Sequence, residues 1–314
     1  MRLLADKALL YLWGLQEIAR LGIPDVTLGF FGGAGDDLLC TAPIEEHLRR
    51  GARRIWFFTR HPLLYTHYDK RVRLIPEDPR YIWLAARLGV PIRHLSYSEY
   101  DATSDQDTAC KRHILAEICS RAGLSGKITL RPYLRLSPDE LSWGKPFAGC
   151  IVVQSGGMAA AVPMSNKQWP AECMQAVVGR LNDKHKIVHI GSTHDTQLSG
   201  VMDMRGATSQ RQTASILAQA RLFIGLVGFP MHLARAVDCP AVIVYGGREP
   251  PEISGYNSYL NVVNQPKCAP CWQRNHCEYD RVCLRAISSE QVYAEVIKNL
   301  AFPRAELAAE IYNL

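Results

Sequence analysis

Short apolar runs alternate with segments of helical periodicity along most of the chain. In the first half, apolar and β-branched runs predict strands over residues 26–31, 54–59, 72–75, 92–97 and 128–134. Apolar residues at helical spacing predict helices over residues 4–15, 79–88 and 105–122. Strands and helices that alternate at this length predict a parallel sheet with helices on both faces.

The second half repeats this plan. Its predicted strands are 150–154, 186–190, 221–225 and 241–245, and its predicted helices are 171–181, 209–220, 230–237 and 288–300. Prolines and glycines in 137–149 indicate a linker, which we place at 143–149. A length of 314 residues favours two domains, here 1–142 and 150–300, with a C-terminal helix at 301–314. Their strand ends would face each other across a cleft.

One stretch of the first half has the composition of a ligand-binding turn. Residues 32, 33 and 35 are glycines that follow the first predicted strand, and Asp36 and Asp37 begin the next helix. Glycines let a ligand approach the main chain, and open α/β folds bind ligands at this edge of the sheet. The alternative is a plain turn with Asp36 as the helix cap. Pro43 predicts a kinked or late-starting helix.

Composition narrows the range of functions. The chain has 36 Lys and Arg against 30 Asp and Glu, so its net charge of +6 fits an anionic substrate or an acidic membrane surface. The chain has no long Lys/Arg run, so its charge does not by itself indicate nucleic-acid binding. Ten cysteines without a secretion signal indicate a reducing compartment. The chain has no apolar run of about 18 residues, so no membrane-spanning helix is predicted. We therefore expect a cytoplasmic protein, with the inner face of the membrane as a place of contact.

A second candidate region is the strand, glycine turn and helix of residues 222–236. Free N–H groups and the dipole at the start of such a helix attract phosphate, here beside His232. Lys167 and Arg205 would add positive charge. Taken alone, each basic residue is more often a solvated surface charge, so the hypothesis depends on their convergence.

Four cysteines lie close together near the end of the second half. Cys268, Cys271, Cys277 and Cys283 have the spacing C-x₂-C-x₅-C-x₅-C, which suits a tetrahedral thiolate site for zinc or iron. His276 is an alternative ligand. Four free thiols and two disulfides are the other interpretations.

Several motifs, taken in order, resemble those of glycosyltransferase family 9, the ADP-heptose:lipopolysaccharide heptosyltransferase family. Residues 33–39, GAGDDLL, are similar to the family's G-x-G-D-x-L-L. The other similar stretches are KQWP at 167–170, GSTHD at 191–195, RGATS at 205–209, ARLFIG at 220–225 and PMHLA at 230–234. They keep the family's order and spacing, so the resemblance covers the chain from about residue 26 to 292.

This resemblance implies an α/β GT-B fold, in which two Rossmann-like domains face each other across a cleft. It implies an acceptor domain at 1–142 and a nucleotide-sugar domain at 150–300. Asp36 matches the general base, although aligning on Pro43 instead gives that role to Asp37. The implied donor-binding residues are Lys167, Asp195, Arg205, Thr208, Gly228, Met231 and His232. Similar cysteine clusters in the family imply that the insertion at 268–283 is structural or serves assembly.

The implied activity is the inverting transfer of a sugar, with heptose as the first candidate. The donor would be a nucleotide sugar such as ADP-heptose, and the acceptor a cell-surface glycan, a lipid-linked molecule or a protein. No catalytic cofactor and no nucleic-acid partner are expected, and structural zinc or iron is expected at the four cysteines. Peripheral membrane contact and a homo-oligomer are further expectations.

One departure from the family pattern raises an alternative. The family has Asp-Ser-Gly or Asp-Thr-Gly before Pro-Met-His, whereas this chain has Val227, Gly228 and Phe229. A side-chain carboxylate and a hydroxyl are therefore missing. The first alternative is a catalytically inert relative that uses the four-cysteine site for assembly. The second is a nucleic-acid-binding module built on a zinc knuckle.

Overall fold

The computed structural model describes residues 2–30, 32–302 and 307–314, with side chains from residue 8 onward. The helices of the first half are α1 (Arg2–Leu21), α2 (Ala34–Leu39), α3 (Thr41–Arg49), α4 (Pro79–Arg87), α5 (Ile114–Arg121) and α6 (Pro138–Gly144). Its strands are β1 (Val26–Gly29), β2 (Ile55–Phe58), β3 (Val72–Ile75), β4 (Ile92–His94), β5 (Tyr100–Asp101), β6 (Gln106–Asp107) and β7 (Lys127–Thr129).

The second half continues the alternation. Its helices are α7 (Ala171–Leu181), α8 (Gln210–Gln219), α9 (Phe229–Ala236), α10 (Pro251–Ser254), α11 (Val282–Arg285) and α12 (Ser289–Leu300). Its strands are β8 (Ile151–Val153), β9 (Ile187–His189), β10 (Met202–Asp203), β11 (Leu222–Leu226), β12 (Ala241–Tyr245), β13 (Leu260–Val263) and β14 (Ile311–Asn313).

Each half is built on a parallel sheet. Within the described ranges, the strand order is β3-β2-β1-β4 in the first sheet and β10-β9-β8-β11-β12-β13 in the second. Central strands such as β2, β11 and β12 are buried along their whole length, as expected for parallel strands covered on both faces. The predicted α/β plan is therefore confirmed. The carboxyl ends of the strands lie along one edge of each sheet, where such folds bind ligands.

The helix after the first glycine turn is interrupted, as Pro43 predicts. α2 ends at Leu39 and α3 begins at Thr41, with Cys40 between them. Proline has no N–H to donate to the carbonyl of Leu39, so one continuous helix would leave that acceptor without its bond. The break sets the direction of α2, which carries both candidate carboxylates.

Residues 105–122 contain a shorter helix than the sequence predicts. α5 begins only at Ile114, and the His113 imidazole caps it by accepting the Leu115 N–H at 3.2 Å. The residues before it form the antiparallel hairpin β5–β6. Its turn is closed locally because Asp101 accepts the backbone N–H of Thr103 at 2.9 Å.

Two further stretches have secondary structure that the sequence did not predict. The proline- and glycine-rich stretch 137–149 contains α6, because Ser137 and Glu140 form a capping box and Pro138 occupies the first helical position. The predicted C-terminal helix at 301–314 is replaced at Ile311–Asn313 by β14, which pairs antiparallel with β7 of the first half. Residues 303–306 lie outside the described residues. The predicted domain boundaries stay predictions.

The N-terminal helix packs on its own half. Trp13 and Ile18 of α1 contact a cluster of buried residues that includes Trp56 and Tyr81. The opposite side of α1 exposes apolar residues such as Leu12. No helix among the described residues combines the length and the apolar character that crossing a membrane requires.

The two halves share buried surface. One apolar cluster continues from Leu38 and Ile44 of the first half to Phe223 and Met231 of the second. α6 packs against α8, and Arg211 of α8 forms a salt bridge with Glu140 of α6 at 2.5 Å. The close approach of these two helices depends on Gly144, because a Cβ there would lie 2.5 Å from the carbonyl oxygen of Ser215.

We predict opposite effects for two glycine-to-alanine substitutions in helices. Gly144→Ala forces α6 away from the α8 backbone and should lower the free energy of unfolding by about 1–3 kcal/mol. Gly179→Ala is the matched control, because a Cβ at this exposed position in α7 meets nothing within 4 Å. It should raise stability by about 0.5–1 kcal/mol through helix propensity. Thermal and denaturant unfolding measure both, and equal effects would contradict the packing.

Candidate functional site

The Asp36 carboxylate lies where the two halves meet. One oxygen, Oδ1, accepts a hydrogen bond from the Tyr97 hydroxyl, and Oδ2 accepts one from the Gly33 N–H, each at 2.8 Å. Gly33 is the N-cap and Asp36 the third helical residue, so Asp36 supports the helix start without being its cap. Burial raises the pKa of this carboxyl, although both hydrogen bonds and the charges of Lys167 and Arg274 oppose the shift.

Asp37 faces its own half instead. Its side chain is 1% exposed, and its Oδ2 accepts hydrogen bonds from the Thr59 hydroxyl at 2.6 Å and from the His61 N–H at 3.1 Å. Burial also raises its pKa, against the hydrogen bond from Thr59. These contacts tie α2 to the loop after β2, so Asp36 is the carboxylate of the pair that lies where the two halves meet.

A cavity of about 70 Å³ lies between the halves, and its wall includes Tyr97, the hydrogen-bond partner of Asp36. The first half contributes Tyr97 and Asp107 to its wall, and the second contributes Lys167, His232, Arg248, Glu249, Trp272 and Arg274. Two of the predicted donor-binding residues, Lys167 and His232, therefore come together here. The cavity walls carry both signs of charge.

Lys167 is held by a buried carboxylate. Its Nζ lies 2.9 Å from Oε1 of Glu249, which also accepts the Ser254 hydroxyl at 3.0 Å, while Arg248 donates to Oε2. Burial alone would raise the pKa of Glu249, but Lys167 and Arg248 hold it at about 2. Glu249 is thus ionised at neutral pH and fixes the Lys167 ammonium at the cavity.

Asp107 closes the charged cluster from the first half. Arg274 donates to both of its carboxylate oxygens, from Nε at 3.0 Å and from Nη2 at 2.6 Å, and Arg248 donates to Oδ2. The Asp107 N–H also donates to the Trp272 carbonyl at 3.0 Å. The hairpin of the first half is therefore joined to the cysteine-containing segment of the second.

Two neutral imidazoles support this region. His232 bonds the Tyr256 hydroxyl through Nδ1 at 2.7 Å, and burial lowers its pKa to about 3. His113 accepts the Leu115 N–H at Nδ1 and donates from Nε2 to the Gly255 carbonyl at 2.8 Å, and burial lowers its pKa to about 4. Both bonds of His113 require the neutral ring.

Asp195, Arg205 and Thr208 form a separate group beyond the ends of β9 and β10. Asp195 Oδ2 accepts the Ser192 N–H at 2.8 Å, and Arg205 donates to the Asp195 carbonyl. Arg205 is already paired with Asp203 at 2.7 Å, and Thr208 shares a 2.9 Å hydrogen bond with Thr213. Asp195 and Arg205 thus lie together, while Lys167 belongs to the cavity group.

The segment that departs from the family pattern lies against Asp36's helix. Gly228 is the N-cap of α9, and a Cβ at Gly35 of α2 would lie 3.6 Å from the Phe229 backbone. Met231 is fully buried, with its sulfur 3.4 Å from the Tyr245 hydroxyl, so the structure places it in the core. The helix start faces α2 through its main chain.

All four clustered cysteines line one cavity of about 230 Å³, together with Gly247 and Arg248. The Arg281 N–H donates to the Cys277 sulfur at 3.2 Å, and burial raises the pKa of the Cys271 thiol. His276 is exposed and outside this wall. Across the described ranges, no group of three or more His, Cys, Asp or Glu side chains is arranged to hold a metal ion.

The sequence interpretation missed Asp107, Arg248, Glu249 and Arg274. Asp107 fell inside the helix predicted over 105–122. Arg248 and Glu249 come three and four residues after the end of β12, so the rule that ligands bind at strand ends could have found them. Arg274 lies inside the cysteine segment, and its partner Asp107 is 167 residues away in the sequence.

Comparison with known proteins adds an independent observation. Residues 129–281, just under half of the chain, match the sequence profile of glycosyltransferase family 9 (heptosyltransferase). The chain is glycosyltransferase family 9-like. No curated protein matches it in sequence.

Solved structures show that this family 9-like protein has the GT-B fold. The family 9 glycosyl transferase from Veillonella parvula is 16% identical, with 88% of this chain and 97% of that chain covered and a TM-score of 0.61. E. coli ADP-heptose LPS heptosyltransferase II is 14% identical, with 88% and 98% covered and a TM-score of 0.63. The iron-containing dodecameric glycosyltransferase TibC from enterotoxigenic E. coli is 17% identical, with 89% and 79% covered and a TM-score of 0.67.

We predict that His113 makes the family 9-like protein acid-sensitive. Its pKa of about 4 lies below the ordinary 6.5, so the unfolded chain binds the proton first. The contribution to stability is full above pH 6.5 and is lost as pH falls to about 4, at up to about 1.4 kcal/mol per pH unit. His113→Asn keeps a cap for the Leu115 N–H without titrating. Its unfolding free energy should therefore fall less steeply between pH 6.5 and 4, and an unchanged slope would refute the assignment.

Proposed function

We propose that the protein is an inverting glycosyltransferase that transfers a sugar from a nucleoside-diphosphate donor. The supporting observation is the meeting of two groups where the halves join. Asp36, a carboxylate of raised pKa from the first half, is hydrogen-bonded to Tyr97, and Tyr97 lines the same cavity as Lys167, a fixed ammonium from the second half. Base and cation are the two groups that such a transfer needs.

The proposed step follows from this placement. Asp36 takes the proton of an acceptor hydroxyl, whose oxygen attacks the anomeric carbon from the face opposite the diphosphate. The bond from that carbon to the phosphate oxygen breaks, and the nucleoside diphosphate leaves with the electron pair. The Tyr97 hydroxyl orients the base, and Lys167 stabilises the leaving charge. A site closed between the halves keeps water from the donor.

The donor and acceptor are proposed by analogy. TibC was solved in complex with ADP-D-β-D-heptose, and the E. coli heptosyltransferase WaaC with ADP. ADP-heptose is therefore the first donor to test, and a cell-surface glycan the first acceptor class, with lipid-linked and protein acceptors next. Cytoplasmic location, contact with the membrane face and homo-oligomerisation stay predictions.

Substitution of Asp36 tests the proposed reaction. A thermal-shift screen of nucleotide sugars first identifies a donor, because a ligand that binds the native state raises the melting temperature. With that donor, Asp36→Asn should keep donor binding and lower turnover by about 10²–10⁴-fold.

Asp37→Asn is the neighbouring control. It should reduce stability more than turnover, because its carboxylate joins α2 to the Thr59 loop. If Asp36→Asn turns over normally while Asp37→Asn is inactive, the base is Asp37. Absence of nucleotide-sugar binding by the wild-type protein would remove the proposed activity.

One observation favours a second candidate, a catalytically inert relative. Val227, Gly228 and Phe229 offer no side-chain hydrogen-bonding group where the family has a carboxylate and a hydroxyl. Donor binding without turnover in wild-type protein, over a panel of acceptors, would support this candidate. Turnover would exclude it.

We also propose that the four-cysteine cavity holds a structural zinc or iron ion. The proposal is supported by the four thiols that line one cavity and by the backbone N–H that donates to the Cys277 sulfur. The described side chains are not arranged around a common point, so the thiols would have to converge when an ion binds. Cys268, Cys271, Cys277 and Cys283 would be the ligands. A closed shell of four thiolates supplies folding energy and leaves no position for substrate.

Metal removal tests this assignment. Purified protein should contain about one zinc or iron ion per chain, and Cys271→Ser should lose it and lower the melting temperature. Cys173→Ser is the matched control, since this cysteine lies against the core of α7 and away from the cavity. A metal-free wild-type protein with an unchanged melting temperature after chelation would contradict the proposal.

A further inference from the structure

We propose that Arg248 and Arg274 form a phosphate-binding site of the donor cleft, and that Asp107 fills it when no donor is bound. The inference rests on the proposed function, because it assigns the phosphate to the same donor. It concerns residues that the family motifs do not include. Asp107 would then act as an internal competitor for the diphosphate.

The geometry of the arginine pair suits a phosphate. Arg274 grips both oxygens of Asp107, and Arg248 adds a third donor to Oδ2. A guanidinium presents the same two-pronged donor geometry to a carboxylate and to a phosphate. Stacking on the Tyr100 ring, 3.6 Å from its centroid, keeps the Arg274 guanidinium in place.

One N–H donor of Arg248 has no hydrogen-bond acceptor among the described residues. Its side chain is 5% exposed, and among the described residues its Nε–H has no hydrogen-bond acceptor. A buried N–H without an acceptor costs about 1–3 kcal/mol. A phosphate offers more acceptor oxygens than a carboxylate, so it can satisfy this group as well as those that Asp107 already satisfies.

The charge of the cavity also favours an added anion. Among the described wall residues, Lys167, Arg248 and Arg274 face the two carboxylates of Asp107 and Glu249. Asp36 is bonded to the wall residue Tyr97, and burial raises the pKa of its carboxyl. Glu249 is fixed from its own half by Ser254, Lys167 and Arg248. Asp107 is the wall carboxylate that comes from the opposite half, so separation of the halves would withdraw it and leave both arginines beside Lys167.

Asp107 ends the short hairpin β5–β6. This hairpin contacts the cysteine segment through hydrogen bonds that include Gln106 to the Cys271 carbonyl at 2.9 Å. Donor binding would exchange the carboxylate for a phosphate at the same two arginines. Arg248 and Arg274 would thereby couple donor binding to the position of the first half.

Calorimetry with inorganic pyrophosphate tests the inference. Asp107→Asn removes the competing charge at nearly constant shape and should lower the Kd for pyrophosphate at least about tenfold, as expected if the open form is on the order of 10% populated. Asp101→Asn is the matched control, because this exposed carboxylate of the same hairpin bonds only to Thr103 and Ser104 among the described residues. It should leave the Kd unchanged.

The Arg274→Gln variant tests the phosphate-binding site itself, separately from the competing Asp107 carboxylate. Combined with Asp107→Asn, it should return pyrophosphate affinity to the wild-type value or weaker. The single Arg274→Gln variant should weaken pyrophosphate binding on its own. Circular dichroism shows whether the Asp107→Asn protein is folded, and the single Arg274→Gln variant still tests the site if it is not. An unchanged or higher Kd in folded Asp107→Asn protein, or unaltered binding in Arg274→Gln protein, overturns the inference.

The same titrations keep the two proposals apart. If wild-type protein binds and turns over a nucleotide sugar while Asp107→Asn and Arg274→Gln leave the pyrophosphate Kd unchanged, the proposed function stands and this inference fails. If pyrophosphate binds with the predicted order of affinities but no nucleotide sugar binds, the phosphate site stands and the proposed function fails.

Discussion

The buried ion cluster of Lys167, Glu249, Arg248 and Asp107 joins the two halves at the place where the chemistry is proposed. Taking several charges out of water is costly, and the cost is offset only when each charge has well-placed partners. Here each carboxylate accepts from two or more donors, so the cluster fixes the relative position of the strand ends that carry them. The orientation of Lys167 toward the cavity and of the hairpin toward the cysteine segment both follow from it.

The cysteine segment takes part in this arrangement more directly than its place in the sequence suggests. Trp272 and Arg274 lie between Cys271 and Cys277, and both line the cavity between the halves. Asp105 of the hairpin accepts the N–H groups of Asn275 and His276 at 2.6 and 2.7 Å. A structural ion at the thiols would therefore hold the donor side of the cleft in shape as well as stabilise the fold.

Sequence patterns predicted the framework well and the cluster poorly, for physical reasons. Buried parallel strands are near-continuous apolar runs, so β3 and β12 have the predicted bounds, and Pro43 breaks its helix because a missing N–H is a local property. Asp36 and Lys167 were named as candidates because glycine turns and motif order point to them. Asp107 and Arg274 were missed because their partners lie more than 100 residues away.

The central claim is that the donor's diphosphate binds in the cavity between the halves. A crystal structure with a bound nucleoside diphosphate tests it most directly. We predict phosphate oxygens within about 3 Å of Lys167 Nζ and of the Arg274 guanidinium, with the Asp107 carboxylate displaced from the arginines. A diphosphate bound away from Lys167, with the Asp107 pairs intact, would contradict the claim.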